Sequence, residues 1–171
     1  MRVLITGGYG FIGAWIAKHL LATGDQVFSY DLKEDPRRLR LVLSEEQVRQ
    51  VAFVQGDVTD LANLTAAMKT HGITHVIHLA GLQVPTCRAN PILGATVNVI
   101  GTLAVFEAAK ALGDQVKRVV YASSAAVFGG PDKYPQSKYP WPLADDTLLV
   151  PSTHYGVFKC CNEGNARIYF Q

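Results

Sequence analysis

The segment TGGYGFIG, at residues 6–13, constrains the fold of this 171-residue chain more than any other. It follows a continuously apolar run at residues 2–6, which is typical of a strand buried on both faces. In the residues that follow, apolar side chains recur at helical spacing, and this pattern ends at Gly24. A glycine loop between a strand and a helix is the context that dinucleotide binding requires, and it predicts a parallel sheet with crossover helices.

Each glycine of this loop has a physical task. Gly7 and Gly10 allow a tight turn that brings backbone N–H groups close to a diphosphate. Gly13 lets the helix pack on the first strand, and the helix N-terminus, where Phe11 and Ile12 lie, favours negative charge. The spacing is G-x-x-G-x-x-G rather than the more common G-x-G-x-x-G. The alternative is a glycine-rich turn that binds nothing.

Asp31 favours the first interpretation. It ends the second predicted strand, where a carboxylate accepts hydrogen bonds from an adenosine ribose and repels the extra phosphate of NADP. Lys33, Arg37 and Arg38 weaken this preference for NAD without reversing it. The alternative is a turn aspartate in the DLKED segment.

Short β-branched runs alternate with helical patterns along the chain, which predicts an α/β fold: a Rossmann-like, doubly wound parallel sheet. The predicted strands cover residues 2–6, 26–31, 51–57, 74–81 and 117–124. The predicted helices cover residues 11–24, 60–70, 90–112 and 151–170, with a short one around 37–44. Residues 129–150 are rich in Pro, Gly, Asp and Lys and predict a loop.

Composition narrows the function classes. A net charge of +2 with scattered basic residues argues against a nucleic-acid or membrane surface as the main partner. We expect no run of apolar residues long enough to span a bilayer and no export signal in MRVLITGG. The three cysteines are odd in number and two are neighbours, which disfavours disulfides and favours the cytoplasm.

Seven motif pieces, in order, resemble the extended short-chain dehydrogenase/reductase family, the NAD-dependent epimerases and dehydratases that act largely on sugar derivatives. The pieces are TGGYGFIG, YD at 30–31, GDVTD at 56–60, HLAG at 78–81, VNVIGT at 97–102, YASSAAVFG at 121–129 and YGVFK at 155–159.

The resemblance implies NAD as cofactor and assigns roles by position. Asp57 and Val58 would lie at the adenine ring, and Ala80 and Gly81 would line the cofactor. Asn98 matches an asparagine of the long helix. Ser124, Tyr155 and Lys159 match the catalytic residues, and Lys159 would also bond the nicotinamide ribose. No metal is implied.

Elementary chemistry suits these assignments. Tyr155 and Lys159 are four residues apart, so a helix places them on one face. A free phenol titrates near ~10, and a nearby ammonium lowers that pKa toward neutrality, as an acid/base requires. Ser124 would hydrogen-bond the substrate oxygen whose proton Tyr155 transfers. The alternatives are a solvated lysine beside a packed tyrosine and a serine that simply ends a strand.

Departures from the family pattern carry information. The 4,6-dehydratases usually have Thr-Asp-Glu where this chain has SAA at 124–126, so dehydration is disfavoured. Phe128 stands where many relatives have Tyr. The segment LQVPTCRANP, read as a loop after the fourth strand, offers Gln83, Thr86 and Arg88 as substrate contacts, with capping or solvation as the alternative.

Other side chains are expected to be structural. His71, His75 and His78 approach and enter a strand, where successive side chains alternate in direction, so satisfied histidines are favoured over a zinc site. Cys160 and Cys161 are expected to be buried thiols.

Relatives continue beyond this point into a substrate-binding lobe, so we expect a single, truncated NAD-binding domain over residues 1–171. In relatives the long helix and the tyrosine helix often pack on a second subunit, which implies a homodimer. The expected activity is that of an epimerase or dehydrogenase on a sugar-type hydroxyl. The alternative is a non-catalytic NAD-binding module or an inactive fragment.

Overall fold

The structure is a computed structural model, and it describes residues 1–138, 142–144 and 146–170, with the side chain of residue 170 left aside. The chain packs as two compact units, each described here by itself. Unit 1 comprises Met1–Gly81 and Ile100–Ala122, and unit 2 comprises Leu82–Val99 and Ser123–Gln171. A single cofactor-binding domain over residues 1–171 stays a prediction.

Unit 1 contains a five-stranded parallel sheet in the order β3-β2-β1-β4-β5. The strands are β1 (Arg2–Thr6), β2 (Gln26–Asp31), β3 (Val51–Gln55), β4 (His75–His78) and β5 (Arg118–Tyr121). The predicted Rossmann-like, doubly wound sheet is therefore confirmed. The first two strands match their predicted bounds, and the other three are shorter than predicted: β3 ends two residues earlier, and β4 and β5 begin one residue later and end three residues earlier.

Seven α-helices lie in the described part of the chain. They are α1 (Phe11–Ala22), α2 (Glu45–Gln50), α3 (Leu61–Thr70), α4 (Val84–Ala89), α5 (Pro91–Ala95), α6 (Gly101–Leu112) and α7 (His154–Phe170). A π turn at Thr96–Ile100 separates α5 from α6, so the predicted helix over 90–112 is interrupted. Local chemistry sets several helix starts: Ser44 and Gln47 form a capping box, and the Asp60 carboxylate accepts from the Asn63 amide.

The interpretation of LQVPTCRANP as a loop is wrong, because residues 84–89 form α4. Pro85 lies in the first turn of this helix, where its missing N–H costs no hydrogen bond. Asn90 ends α4, and its side chain caps α5 by accepting from the Leu93 amide at 3.0 Å. The short helix expected around 37–44 is a 3-10 turn at Leu39–Leu41.

The predicted loop at 129–150 contains one 3-10 turn, Pro131–Lys133, in its described part; residues 139–141 and 145 lie outside the described residues. Tyr134 is 1% exposed and anchors the segment. Its hydroxyl donates to the Leu148 carbonyl at 3.0 Å and accepts from the Val150 amide at 3.2 Å. One buried phenol thus organises a segment that has little secondary structure of its own.

The core of unit 1 lies between β1, β2 and the helix α1. Val3, Ile5 and Val27 pack there with Ala14 and Ala17 of α1, all at most 2% exposed. Small alanines on α1 let the helix approach the sheet closely.

His78 is a satisfied core histidine, as predicted. Its Nδ1 lies 2.6 Å from the Thr6 hydroxyl and its Nε2 lies 3.0 Å from the Thr102 hydroxyl. Within the described residues, no group of three or more His, Cys, Asp or Glu side chains is placed to hold a metal ion.

The expectation that no apolar segment is long enough to span a bilayer is wrong by length and composition. Among the described residues, the helical run Pro91–Gln115 has 25 residues; its most apolar stretch of 18 residues has a mean hydropathy of 1.7, and 44% of that stretch is buried. Its α6 part is a core helix of unit 1, where Val105 and Phe106 are buried and α6 packs on α3. Burial in a protein core accounts for such a composition equally well.

The cysteines are only partly as expected. Cys87 is buried and Cys160 is partly buried, with its thiol 3.9 Å from the Val127 carbonyl. Cys161 is exposed, so the prediction of a second buried thiol is wrong. Successive residues on a helix point about 100° apart, so the neighbour of an inward-facing residue turns outward.

Candidate functional site

The glycine loop of unit 1 is built on close backbone contacts. Gly7 has φ +68°, a conformation that L side chains rarely adopt, and its N–H donates to the Tyr30 carbonyl at 2.9 Å. A Cβ on Gly7 would lie 2.9 Å from the Ala80 nitrogen, so the loop passes directly over the end of β4. β1 lies between β2 and β4, the topological switch point at which doubly wound sheets bind ligands.

Gly13 and Gly10 have different surroundings. A Cβ on Gly13 would meet the Gly8 carbonyl oxygen at 2.5 Å, so α1 packs on the loop backbone. A Cβ on Gly10 would meet only the Gly7 carbonyl oxygen, at 2.9 Å, among described atoms within 4 Å. A side chain at residue 10 would therefore press on the Gly7 carbonyl oxygen, and glycine lets the loop turn this tightly.

The N-terminus of α1 suits an anion. Gly10 caps the helix without a side-chain hydrogen bond, and no acidic residue lies in the described first turn. The exposed fractions of Phe11 and Ile12 are 68% and 58%. A helix N-terminus carries partial positive charge and backbone N–H donors without intrahelical partners. The open loop and this end of α1 together fit a diphosphate.

Asp31 lies at the carboxyl end of β2, as predicted. Its carboxylate accepts from the Leu32 amide at 2.9 Å. Burial raises the pKa of Asp31 above its ordinary value, against the lowering effect of the backbone amides of Leu32 and Tyr9.

The basic residues near Asp31 are partly engaged. The Arg37 guanidinium donates to both carboxylate oxygens of Asp35, at 2.7 and 2.6 Å. The positive charge of Arg38 lowers the pKa of Asp31 slightly. Arg37 is thus held by an acidic neighbour, which weakens the case for a 2′-phosphate site.

The remaining unit 1 candidates lie after β3 and β4. Asp57 is exposed, and its carboxylate accepts from the amide and hydroxyl of Thr59 at 2.9 and 2.8 Å. Val58 is 7% exposed and packs on Gly101 of α6, where a Cβ would lie 2.9 Å from it. Ala80 donates its N–H to the Thr6 hydroxyl at 3.2 Å, and Gly81 follows it.

In unit 2 the structure brings Tyr155 and Lys159 together on α7. The Lys159 ammonium nitrogen lies 5.6 Å from the centre of the Tyr155 ring. Burial lowers the pKa of Lys159, and the Cys87 thiol of α4 opposes this shift. Both side chains are partly buried, so their electrostatic interaction is less screened than on an open surface.

Ser124 precedes a 3-10 turn, Ala125–Val127, and its hydroxyl accepts from the Ala126 amide at 3.2 Å. This turn packs directly on the start of α7, because a Cβ on Gly156 would lie 2.1 Å from the Ala126 carbonyl oxygen. Gly156 thus allows the Ser124 turn to approach the helix that carries Tyr155.

Asn98 is 2% exposed and lies in the π turn of unit 2. Its side chain accepts from the Leu82 amide at 2.7 Å and donates to the Leu82 carbonyl at 2.9 Å. These bonds show Asn98 as an anchor for the residue that begins unit 2; a contact with cofactor stays a prediction.

The substrate candidates lie on α4. Gln83 is exposed and caps α4 through its backbone, since the Cys87 amide donates to its carbonyl at 3.0 Å. Arg88 borders a cavity of about 420 Å³ in unit 2. The other lining residues are Val84, Pro151, Ser152, Thr153, His154 and Val157.

Two residues of α7 that were not predicted from the sequence make hydrogen bonds near the candidate residues. Asn162 is 1% exposed and donates to the Asn98 carbonyl at 2.8 Å. Glu163 accepts from the Ser123 hydroxyl at 2.6 Å. Both follow Lys159 by three or four residues, so helical spacing from a candidate lysine is the signal that points to them.

This fold and these residues define a Rossmann-like protein of the dinucleotide-binding type. The model of the GDP-mannose 4,6 dehydratase family matches residues 4–171, and the chain belongs to this family of NAD-dependent epimerases and dehydratases.

Curated relatives agree with this family. The chain is 37% identical to UDP-glucose 4-epimerase of Klebsiella pneumoniae over 137 residues, which is 79% of the chain and 97% of that protein. It is 34% identical to UDP-glucose 4-epimerase of Mycolicibacterium smegmatis, over 99% of the chain and 51% of that protein. D-erythronate dehydrogenase of Cupriavidus necator is 36% identical, over 95% of the chain and 48% of that protein. The chain thus spans about half the length of the last two.

Solved structures show the same fold. UDP-glucose 4-epimerase of Thermus thermophilus, crystallised with NAD, aligns with a TM-score of 0.81 and 30% identity, over 99% of this chain and 50% of that one. MoeE5, in complex with UDP-glucose and NAD, aligns with a TM-score of 0.77 and 30% identity, over 99% and 49% of the two chains.

Proposed function

We propose that this chain binds NAD and belongs to an epimerase or dehydrogenase that acts on a hydroxyl of a sugar nucleotide or related sugar derivative. The observation that carries the proposal is the pairing of Tyr155 and Lys159 on one face of α7. The relatives named UDP-glucose 4-epimerase and the neighbour bound to UDP-glucose support the substrate class. The relative named D-erythronate dehydrogenase supports the wider class of hydroxyl-bearing substrates.

The residues of unit 1 suit NAD. The loop of Gly7, Gly10 and Gly13, with Phe11 and Ile12 at the start of α1, would hold the diphosphate. Asp31 would accept hydrogen bonds from the adenosine ribose, and Asp57 and Val58 would lie at the adenine, with Ala80 and Gly81 along the cofactor. Asn98, Tyr155 and Lys159 of unit 2 are also proposed as cofactor contacts. NAD, when bound, supplies the group that accepts or returns a hydride.

Three residues of unit 2 would bind the substrate hydroxyl and transfer its proton. The Tyr155 phenolate oxygen would accept that proton as hydride leaves the carbinol carbon, and would return it in the reverse step. The Lys159 ammonium would interact with this oxygen through its positive charge. The Ser124 hydroxyl would hydrogen-bond the same substrate oxygen and hold it in place.

Dehydration is not the proposed reaction, although the family carries a dehydratase name. Ala125 and Ala126 occupy the 3-10 turn after Ser124, and methyl groups offer no acid to protonate a leaving hydroxyl. Arg88 and Gln83 of α4 are proposed substrate contacts, with the Arg88 guanidinium suited to a phosphate. We further propose a cytoplasmic homodimer that uses neither nucleic acid nor a membrane surface as a partner.

The test is Tyr155→Phe, with Tyr169→Phe on the exposed end of the same helix as control. NAD binding is measured by thermal unfolding, where ligand at one hundred times its dissociation constant adds about 2.7 kcal/mol of stability. Interconversion of UDP-glucose and UDP-galactose, and reduction of NAD by either sugar nucleotide, measure turnover. Tyr155→Phe is expected to abolish turnover and keep NAD binding.

Turnover unchanged in Tyr155→Phe would refute the acid/base assignment. NAD binding without turnover of any sugar substrate in the unaltered protein would support the alternative of a non-catalytic NAD-binding module. No stabilisation by NAD would refute the cofactor assignment itself.

A further inference from the structure

Asn162 completes a buried hydrogen-bond chain in unit 2. Its side-chain N–H donates to the backbone carbonyl of Asn98 at 2.8 Å, and the two residues are 1% and 2% exposed. Asn98 in turn holds both backbone groups of Leu82 with its side chain. Three hydrogen bonds therefore link Leu82, the π turn and α7. The bond between Asn162 and Asn98 is buried, and the two bonds to Leu82 are partly buried.

The partner of Asn162 lies in a π turn rather than a regular helix. In such a turn the backbone ladder changes from i→i+4 to i→i+5 bonding, and π turns are frequent at functional sites. The buried side-chain amide of Asn162 needs an acceptor, because an unsatisfied buried donor costs about 1–3 kcal/mol. The Asn98 carbonyl accepts from this amide at 2.8 Å.

Asn162 shares a helix face with the two candidate catalytic side chains. Tyr155, Lys159 and Asn162 follow the spacing i, i+4 and i+7, which returns to the same side of an α-helix after two turns. A bond that holds Asn162 in place therefore resists rotation of this whole face.

The apolar contacts of α7 differ in kind from this hydrogen bond. The Phe158 ring of α7 packs closely on α5, because a Cβ on Gly94 would lie 2.9 Å from that ring. Apolar contacts are not directional, whereas an amide–carbonyl bond has a preferred angle. The hydrogen bond thus supplies an angular constraint that the surrounding contacts lack.

We propose that Asn162 is a positioning residue, whose bond to the Asn98 carbonyl fixes the rotation of α7 about its axis and so the directions of Tyr155 and Lys159. This inference rests on the proposed function. A rotation of about 20° moves each Cα of the helix by roughly 0.8 Å, given a helix radius of about 2.3 Å. Misplacement of about 1 Å in a catalytic group costs on the order of 100-fold in rate.

The test compares Asn162→Leu with Asn165→Leu. Leucine is close to asparagine in shape and has no side-chain N–H donor. Asn165 lies one turn further along α7, and its side-chain amide donates to the Cys161 thiol of the same helix at 3.7 Å. Three quantities are measured: kcat, the NAD dissociation constant, and the pH dependence of labelling of the Lys159 amine, followed by mass spectrometry.

We expect Asn162→Leu to lower kcat by roughly 30- to 100-fold with a smaller loss of NAD affinity, because the proposed cofactor contacts of the glycine loop and Asp31 are unchanged. The labelling profile of Lys159 should move to higher pH, because a rotated helix exposes the amine and removes the burial that lowers its pKa; Cys87 is the titratable group that faces it from α4. Asn165→Leu should change neither kcat nor the labelling profile of Lys159.

Loss of thermal stability in Asn162→Leu with unchanged kcat and unchanged Lys159 labelling would overturn the proposal and leave Asn162 a purely structural residue.

If Asn162→Leu does not fold, the variant Asn162→Asp tests the proposal instead. Its carboxylate accepts but does not donate, so kcat should be low at neutral pH and recover as the carboxyl protonates and donates to the Asn98 carbonyl. A pH profile equal to that of the unaltered protein overturns the proposal. If the unaltered protein binds NAD but shows no turnover, the proposed function fails, and the labelling profile still tests the role of Asn162.

Discussion

Gly156 offers the sharpest test of how unit 2 positions Ser124 against the tyrosine helix. It lies in the first turn of α7, directly after Tyr155. A Cβ at this position would lie 2.1 Å from the Ala126 carbonyl oxygen and 3.0 Å from the Pro151 Cβ. Gly156→Ala is therefore the smallest substitution that forces the Ser124 turn away from the helix.

The magnitude follows from the contact distances. An ordinary carbon–oxygen contact needs about 3.3 Å, so the turn or the helix has to shift by roughly 1.2 Å. Overpacking of this kind costs about 1–3 kcal/mol, and the clashing atom belongs to the backbone, which cannot change rotamer. The gain from replacing glycine in a helix is at most about 1 kcal/mol, and less in a first turn. The net expectation is a loss of about 1–2 kcal/mol.

Gly164 of the same helix provides the control. A Cβ there meets no described atom within 4 Å, so Gly164→Ala should be neutral or stabilise by up to about 1 kcal/mol. Denaturant unfolding measures both variants, and hydrogen exchange over residues 124–128 reports the turn itself. Exchange in that segment should rise in Gly156→Ala alone, and turnover should fall by on the order of 100-fold because Ser124 shifts by about 1 Å.

Equal unfolding free energies for the two alanine variants would refute this reasoning. Such a result would mean that the turn moves away from α7 at no cost, and that the close approach at Gly156 does not hold Ser124 in place.

Two further predictions concern unit 1. Gly10→Ala should weaken NAD binding by at least 10-fold, because its Cβ would lie 2.9 Å from the Gly7 carbonyl oxygen and shift the loop proposed to hold the diphosphate. Gly13→Ala should cost more stability, about 1–3 kcal/mol, because its Cβ would lie 2.5 Å from the Gly8 carbonyl oxygen. Calorimetry with NAD and denaturant unfolding measure the two effects, and a larger loss of stability in Gly10→Ala than in Gly13→Ala would contradict the loop geometry. NAD affinity should fall with decreasing pH, because the Asp31 carboxyl protonates and loses its role as a hydrogen-bond acceptor. Since burial raises the pKa of Asp31, this decline should begin at a higher pH than an ordinary aspartate would give. Titrations of the unaltered protein and of Asp31→Asn with NAD measure the effect, and a pH dependence that survives in Asp31→Asn would contradict it.

Much of the fold and part of the candidate site could be predicted from local patterns. The strands β1 and β2 have their predicted bounds, since continuous apolar runs between glycines leave little choice of period or length. The pairing of Tyr155 with Lys159 depends only on helical spacing, and the position of Asp31 depends only on the end of a strand.

Other features escaped the sequence analysis for identifiable reasons. The segment after β4 contains Pro85 and Asn90, which are typical of loops, but the same residues serve as first-turn proline and helix cap, so α4 was missed. Adjacent cysteines look alike in sequence, yet only packing decides that Cys160 turns inward and Cys161 outward.

The sequence by itself determined the parallel α/β plan, the glycine loop and the spacing of the catalytic candidates, because each depends on residues close together in the chain. Only the tertiary structure decided that the Ala126 carbonyl meets Gly156 and that Asn162 bonds the Asn98 carbonyl. These contacts join residues 30 and 64 positions apart, and no local pattern encodes which backbone carbonyl a distant side chain will reach. Short motifs thus identify the candidate catalytic residues, whereas long-range packing and hydrogen bonding decide how the elements that carry them are oriented.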